Sequence, residues 1–211
     1  NIVFMGMGEP LDNYDNVLAA LEILTSPWGM AWSPTRITPS TAGITPRLEQ
    51  LIEATKVHIA VSLHNPFHDQ RAEIMPVEKA YPIRELTDML RRHDFSGQRR
   101  LSFEYILMEG LNDTAAHIRE LRRLLNGLNC RINIIRFHRI PDSPYFSPPR
   151  QKMEAFRDRL TAGGIHTTIR ASRGEDIQAA CGLLSTAEAM RRAEQRRSQD
   201  PVSYTHLRAH E

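Results

Sequence analysis

Two glycines and a glutamate follow the first apolar segment of the chain, and their types and spacing suggest a binding function. The segment Ile2–Met5 is followed by Gly6, Gly8 and Glu9, and then by Pro10. Glycines let a backbone approach a ligand closely, but an adjacent carboxylate and a proline without an N–H group do not suit a phosphate loop. The pattern predicts a site for a ligand with an ammonium group, such as an amino-acid moiety. A tight turn between a strand and a helix accounts equally well for these residues.

Three further residues could take part in chemistry, and each has a simpler structural explanation. His64 ends the segment VSLH, where a histidine is more typical of a structural hydrogen bond than of catalysis. His138 lies in RFHR, which suits a nucleic-acid backbone or a solvated strand end. Cys181 lies in AACG after a loop with Arg173, where a nearby helix start and a positive charge would favour the nucleophilic thiolate. A buried, inert cysteine is the alternative.

Segments typical of strands and helices alternate along the chain. The strand-like segments are Ile2–Met5, Arg36–Gly43, Val57–His64, Arg99–Gly110, Cys130–His138 and His166–Ser172. The first helix-like segment places Val17, Leu21 and Leu24 on one face. The later helix-like segments are Thr45–Ala54, Ile83–His93, Thr114–Gly127 and Gln151–Gly164. This alternation predicts an α/β fold with a mostly parallel sheet, and the absence of a GxGxxG motif favours a barrel-like sheet. Ligands gather at the carboxyl ends of such strands, so the polar residues there should meet at one rim.

Composition narrows the class of protein. The chain has 211 residues, 41% of them hydrophobic, and a net charge of +2. That composition supports a folded core, and the apolar stretches are far shorter than the about 20 residues of a membrane span. Two cysteines in a chain of this length indicate a reducing compartment, here the cytoplasm, rather than a disulfide framework. Cys130 is predicted to be a buried residue at the start of a strand.

Six segments resemble, in their order and spacing, one family of enzymes. They are NIVFMGMGEPLDNYDNV, ITPSTAGI, VSLHNPFHDQRAEIMP, FEYILMEGLNDT, CRINIIRFH and RGEDIQAACG. The family is that of the radical S-adenosylmethionine (SAM) RNA methyltransferases, which methylate the C2 carbon of adenine in 23S ribosomal RNA and in tRNA. The resemblance extends from Asn1 to about Ala187 and implies a partial β/α barrel of the TIM-like, radical SAM type.

The resemblance also implies a set of cofactor-binding residues. In the family, the glycine–glutamate pair after the first of these strands contacts the methionyl part of SAM, and residues at later strand ends line the same pocket. The residues that inherit these roles are Gly8, Glu9, Ser40, Ser62, Leu63 and His64. His138 stands where the family often has an asparagine, and Pro39 stands where an aliphatic residue is more common. Because a proline lacks one ladder donor, Pro39 predicts an edge or bulged position.

Cys181 matches the cysteine that carries the methyl group in the family. The implied mechanism first methylates this thiolate from one SAM molecule. A radical generated from a second SAM molecule by a [4Fe–4S] cluster then activates the methyl group for addition to the adenine ring. The implied partners are 23S rRNA, tRNA and an electron donor such as flavodoxin.

The family places the cluster loop, Cys-x3-Cys-x2-Cys, upstream of the glycine–glutamate pair. This chain starts at Asn1 without such a loop, so we expect an N-terminally truncated fragment that holds no metal ligands and is inactive alone. Within it, residues 1–188 are expected to form the partial barrel with the catalytic-cysteine segment. Residues 189–201 are expected to form a polar helical tail, and residues 202–211 resemble a translated sequencing adapter.

Three alternative functions remain open at the level of sequence. The sister activity, methylation of adenine C8 with antibiotic resistance, uses the same motifs. A sugar-phosphate β/α-barrel enzyme would need a glycine-rich phosphate loop near the last strands, which RASRGED resembles poorly. A non-catalytic RNA-binding module would leave the Cys181 segment without a purpose.

Overall fold

The computed structural model describes residues 1–6, 8–96, 99–138 and 143–170. Its sheet has six strands, each hydrogen-bonded to the next in chain order and all parallel. They are β1 (Ile2–Phe4), β2 (Ile37–Thr41), β3 (Ile59–Ser62), β4 (Leu101–Leu107), β5 (Cys130–Arg136) and β6 (His166–Ile169). The predicted α/β class and the partial parallel barrel are confirmed.

Helices occupy the connections between strands. They are α1 (Tyr14–Thr25), α2 (Thr45–Ala54), α3 (His68–Ile74), α4 (Ile83–Leu90), α5 (Ala115–Leu124) and α6 (Arg150–Ala162). A second helix, α3, therefore lies between β3 and α4, where the sequence pattern had predicted no helix. Because each crossover carries at least one helix, the apolar face of the sheet is covered along its length.

Side chains alternate between the two faces of each strand, as the period of a β-strand requires. On β4, Phe103 and Tyr105 point into the helix-covered core and are fully buried, and the Tyr105 ring stacks on Phe156 of α6 at 5.7 Å between centroids. The opposite face of β4 carries Ser102 and Glu104. The sheet thus has an apolar outer face against the helices and a polar inner face toward the barrel lumen.

Of the two positions predicted for Pro39, edge or bulge, the edge is wrong, because β2 lies between β1 and β3. The pairing of β2 with β1 runs as far as Phe4 and Pro39, and the pairing with β3 begins one residue later, between Ser40 and Ala60. Pro39 therefore stands where the pairing passes from one neighbour to the other. Because Pro39 is the last residue of β2 that pairs with β1 and precedes the first one that pairs with β3, its missing N–H group lies at the end of a ladder and interrupts neither of them.

Residues 171–211 lie outside the described residues, and with them Cys181, Arg173 and the segments predicted for 189–201 and 202–211. Among the residues that the structure describes, no helix is long and apolar enough to cross a membrane.

Candidate functional site at the carboxyl rim

The carboxylate of Glu9 is held at the end of β1 by two backbone N–H groups. Oε1 accepts a hydrogen bond from Leu11 N at 3.0 Å, and Oε2 accepts one from Ala42 N at 2.6 Å. The first bond caps the short 3-10 turn Pro10–Asn13, and the second reaches across to the end of β2. Each oxygen has further lone pairs, so a fixed carboxylate can also accept hydrogen bonds from a ligand's ammonium group.

The two glycines before Glu9 adopt backbone conformations that other residues rarely adopt. Gly6 has φ of 78° and Gly8 has φ of 130°. A Cβ atom added to Gly8 would meet no atom within 4 Å, so packing does not require a glycine there. The positive φ thus explains why position 8 is a glycine. Because glycine has no side chain, the backbone of Gly8 stays uncovered at the rim.

The triplet Ser62, Leu63 and His64 ends β3 at the same rim, and its members differ in role. Leu63 is fully buried, so its side chain packs in the core and only its backbone is available at the rim. Its N–H donates to Glu104 O at 2.9 Å. Ser62, the last residue of β3, lies on the lumen face, and His64 follows two residues later, beyond the end of the strand.

His64 is a neutral imidazole with a defined tautomer. Its Nδ1 accepts the backbone N–H of Ile106 at 3.0 Å, so the proton of the neutral ring is on Nε2. Burial, and then the charge of Arg71, lower the pKa of His64 to about 3. Because its φ is 54°, the backbone turns sharply here and ends the strand. His64 thus offers the rim an N–H donor and no charge at neutral pH.

Asn112 fixes the backbone of His64 from the side of β4. Its Nδ2 donates to His64 O and to Ile106 O, both at 2.7 Å, and its Oδ1 accepts Met108 N at 2.7 Å. The side chain is fully buried. A single amide therefore takes the place of backbone pairing where β3 and β4 end.

Ser40 and His138 belong to the same edge of the sheet. Ser40 is paired in register with Ala60, on the lumen face of β2. His138 follows β5, two residues after its last residue, Arg136. Because all six strands are parallel, their carboxyl ends lie at the same edge of the sheet. The residues expected from the sequence to bind the cofactor, all of them within the described ranges, therefore lie at or just after this edge.

The lumen below the rim holds a polar network that joins Glu104 and Arg170, two polar residues expected near the strand ends, to Ser102 and Asn133, which the sequence pattern did not single out. Glu104, in the middle of β4, is only 3% exposed. Its Oε1 accepts hydrogen bonds from Asn133 Nδ2 at 2.8 Å and Ser102 Oγ at 3.3 Å, and its Oε2 lies 3.4 Å from Nη1 of Arg170. These groups border a cavity of roughly 260 Å³. The signal for Asn133 was its lumen-facing position between Ile132 and Ile134.

Cys130 lies at the first residue of β5, at the end of the sheet opposite the rim. Burial raises the pKa of its thiol to about 12, so it stays protonated at neutral pH. The prediction of a strand-start residue is confirmed, although Cys130 is partly rather than fully buried. Within the described ranges it is the one cysteine, so this part of the chain supplies no ligand set for an iron–sulfur cluster.

Comparison with known proteins decides the family. The model of the radical SAM superfamily matches residues 1–125. The chain belongs to the radical SAM superfamily. This range contains β1 to β4 and therefore the strand ends that carry Glu9, Ser40 and the Ser62–His64 triplet.

The curated relatives that the radical SAM chain matches carry one name. A probable dual-specificity RNA methyltransferase RlmN of Parabacteroides distasonis is 57% identical over 188 residues, which are 89% of this chain and 55% of that protein. The protein of the same name from Porphyromonas gingivalis is 57% identical over 90% of this chain and 55% of its own length. The chain thus spans about half the length of these relatives.

Solved structures agree with the radical SAM assignment. A radical SAM methyltransferase from Sphaerobacter thermophilus superposes with a TM-score of 0.80 at 44% identity, over 87% of this chain and 54% of that one. A domain of a pyruvate-formate lyase-activating enzyme from Bacteroides vulgatus superposes with a TM-score of 0.61 at 16% identity, over 80% of this chain. The second likeness shows a shared fold alone.

Superfamily membership brings SAM and a [4Fe–4S] cluster as cofactors. The rim suits the first of them, because the fixed carboxylate of Glu9 matches the ammonium group of the methionyl part. The described residues do not suit the second, because Cys130 is alone among them and lies at the wrong end of the sheet.

Proposed function

We propose that this chain is the barrel portion of an RNA methyltransferase that transfers a methyl group from SAM to C2 of an adenine in 23S rRNA and tRNA. The observation that carries the proposal is the 57% identity, over 188 residues, to a probable dual-specificity RNA methyltransferase. That alignment covers 89% of the chain, so the similarity extends well beyond the 125 residues that the superfamily model matches.

The residues at the rim are suited to hold SAM by its methionyl end. Glu9 offers the ammonium group a carboxylate that two backbone N–H groups already orient. His64 offers a neutral Nε2–H donor, and Ser40 and Ser62 offer hydroxyl groups on the lumen side of their strands. Gly8 leaves room for the ligand, and Leu63 fixes the β3 backbone through its core packing. His138 supplies a further polar group at the end of β5.

We propose that Cys181 is the nucleophile of the reaction and carries the methyl group before it reaches RNA. When bound, the cluster and SAM supply the radical that activates an otherwise unreactive methyl group. Residues 1–188 would then supply the partial barrel and the catalytic-cysteine segment of the complete enzyme. We also propose an electron donor such as flavodoxin, because the cluster must be reduced before it cleaves SAM, and a cytoplasmic location, because rRNA and tRNA are cytoplasmic substrates.

Two variants of the intact gene product test this function. Cys181→Ala should abolish methylation while RNA binding is kept, and the control Cys130→Ala should methylate RNA as the unaltered protein does. Nucleosides from treated 23S rRNA and tRNA are separated and identified by mass spectrometry. 2-Methyladenosine supports the proposal, 8-methyladenosine identifies the sister activity, and full methylation by Cys181→Ala contradicts the role of that cysteine.

The DNA upstream of the codon for Asn1 provides an earlier and simpler test. We expect an in-frame Cys-x3-Cys-x2-Cys segment there, because a radical SAM enzyme needs three thiolates for its cluster. If the reading frame contains no such segment, the chain is a binding protein without the radical chemistry, and the proposed activity is wrong.

A further inference from the structure

A single buried guanidinium, that of Arg71 in α3, joins the carboxyl ends of β2 and β3. Its Nη2 donates to Ala42 O at 2.9 Å and to Ser62 O at 2.8 Å, and its Nε donates to Leu63 O at 3.0 Å. The side chain is fully buried. Three carbonyl groups from two neighbouring strand ends therefore share one rigid donor group.

The charge of Arg71 is balanced by Glu78, whose side chain is 1% exposed. Arg71 Nη1 donates to Glu78 Oε2. The same carboxylate accepts Ile83 N, at the start of α4, at 3.0 and 3.2 Å, and one oxygen lies 2.8 Å from Nδ1 of His68. Burial of an ion pair is costly unless its remaining donors and acceptors are satisfied. Here nearly every donor of the guanidinium has a partner.

Ala42 connects this cluster to Glu9. Its N–H donates to Glu9 Oε2 at 2.6 Å, and its carbonyl accepts from Arg71 Nη2 at 2.9 Å. Both backbone groups of one residue are thus fixed from opposite sides. The two parts of the candidate cofactor site, Glu9 after β1 and the Ser62–His64 triplet at the end of β3, are both held in position relative to the Arg71 guanidinium.

We propose that Arg71 is the positioning residue of this site, which sets the separation between Glu9 and the Ser62–His64 triplet and thereby the affinity for SAM. It does so through backbone groups, without touching the cofactor. The proposal rests on the proposed position of SAM at the rim. A lysine at this position keeps a positive charge beside Glu78, but a single ammonium group cannot reproduce the planar fork that reaches three carbonyls.

Arg99 provides a matched control at the opposite end of the sheet. Its Nε donates to Val57 O at 3.0 Å and its Nη1 to Ile52 O at 3.2 Å, close to where β3 begins. Arg71→Lys and Arg99→Lys each break bonds between an arginine and backbone carbonyls, so both should lower the melting temperature. Only Arg71→Lys should disturb the rim.

The first readout is the Kd for SAM of the intact gene product, with its cluster reconstituted, measured by equilibrium dialysis well below the melting temperature. Arg71→Lys should raise the Kd by about tenfold to about a hundredfold, the range found when a residue that orients the ligands of a metal site is lost. Arg99→Lys should leave the Kd near its original value. An unchanged Kd in Arg71→Lys, or an equal rise in Arg99→Lys, would overturn the proposal.

The second readout is hydrogen exchange in the cofactor-free protein, which is independent of activity. Arg71→Lys should speed exchange of the Ala42 amide, because its bond to Glu9 depends on the geometry that Arg71 holds. If Arg71→Lys does not fold, the double variant Arg71→Gln/Glu78→Gln takes its place, since it removes the guanidinium that reaches the three carbonyls and leaves no unpaired buried charge. Unaltered exchange and Kd in that variant would likewise contradict a positioning role.

Glu9→Gln separates the two proposals. If Glu9→Gln weakens SAM binding and Arg71→Lys does not, the cofactor position stands and the positioning role of Arg71 is wrong. If neither substitution weakens binding, the cofactor lies elsewhere and both proposals are wrong. If both weaken it and Arg99→Lys does not, the positioning role is supported.

Discussion

The carboxylate of Glu9 accepts the backbone N–H of Ala42 at 2.6 Å, although the two residues are 33 positions apart in the sequence. This bond ties the end of β1 to the end of β2. It also orients a negative charge before any ligand arrives, so that binding needs little further ordering. The glutamate is therefore both a structural link between strands and the best candidate for recognition of an ammonium group.

Substitution of Glu9 by glutamine should weaken SAM binding while the fold is retained. The amide keeps one acceptor oxygen for a backbone N–H, but it loses the charge that attracts an ammonium group. Because hydrogen bonds to charged groups contribute about 1.5–3 kcal/mol, the Kd measured by equilibrium dialysis should rise by about tenfold to about a hundredfold. Glu22→Gln, on the exposed face of α1, is the control and should bind normally. Equal affinity in the two variants would argue against a role for Glu9 in binding.

Removal of the Asn112 amide should destabilise the junction between β3 and β4. Asn112→Ala leaves the carbonyls of His64 and Ile106 and the N–H of Met108 without their partner. Since unpaired buried groups cost about 1–3 kcal/mol each, the three together should lower the free energy of unfolding by urea by at least about 3 kcal/mol. The control is Asn16→Ala, at an exposed position whose amide donates to Asn13 Oδ1, and it should change stability by less than about 0.5 kcal/mol. Similar losses in both variants would show that the junction does not depend on Asn112.

Acid should destabilise the protein through His64. The folded-state pKa of His64 is about 3, below the ordinary value of 6.5, so the unfolded chain binds more protons between these values and stability falls as the pH falls. For this one group, the loss between pH 6.5 and 5.5 should be about 1 kcal/mol. The measurement is the free energy of unfolding at the two pH values for the original protein and for His64→Asn.

His64→Asn suits this comparison because asparagine retains an acceptor for Ile106 N and tolerates a positive φ. Burial also lowers the pKa values of His58 and His117, but both are present in the two proteins and cancel in the difference. If the two proteins lose the same stability between pH 6.5 and 5.5, His64 does not titrate as its surroundings imply.

Cys130 should be protected from alkylation while the protein is folded. Burial raises the pKa of its thiol to about 12, and only the thiolate reacts rapidly with iodoacetamide. At pH 8 the rate should be about a thousandfold lower than in the urea-unfolded chain, from the thiolate fractions alone. Peptide mapping by mass spectrometry follows Cys130 separately from Cys181. Comparable rates in the folded and unfolded states would mean that the amino end of β5 is open to solvent.

The sequence pattern predicted α2 with the bounds that the structure has, Thr45–Ala54. Pro46 in the first turn and the apolar spacing of Leu48, Leu51 and Ile52 make the segment helical on local grounds alone. Alternation of strands and helices was likewise enough to predict a parallel sheet and a polar rim. These features depend on the periodicity of single segments, which a sequence displays directly.

Helix α3 escaped prediction because it is short and has no apolar period. Its seven residues, HDQRAEI, include five polar ones, and only Arg71 is buried. An arginine in such a segment is normally exposed. Its partner Glu78 lies seven residues further along the chain, whereas side chains that pair within one helix are three or four residues apart. Neither the composition nor the spacing of this segment therefore indicated that the Arg71 side chain binds the carbonyl groups at the ends of two strands.

The predicted third strand was too long for a related reason. Val57–His64 was expected, whereas β3 covers only Ile59–Ser62. The positive φ of His64 turns the chain, and the side chains of Arg71 and Asn112 then bind the carbonyls that a longer ladder would have paired. Such replacement of backbone pairing by distant side chains is a tertiary effect, which local β-propensity cannot reveal.

The spatial order of the strands, β1 to β6, is also their order along the chain. Each strand from β2 to β6 therefore has one neighbour that precedes it in the chain and is synthesised before it. A chain of this kind can grow by adding one βα unit at a time to an existing edge, as domains that fold during synthesis do. Because Arg71 follows both β2 and β3, its bonds to the carbonyls of Ala42, Ser62 and Leu63 involve no residue of the second half of the barrel.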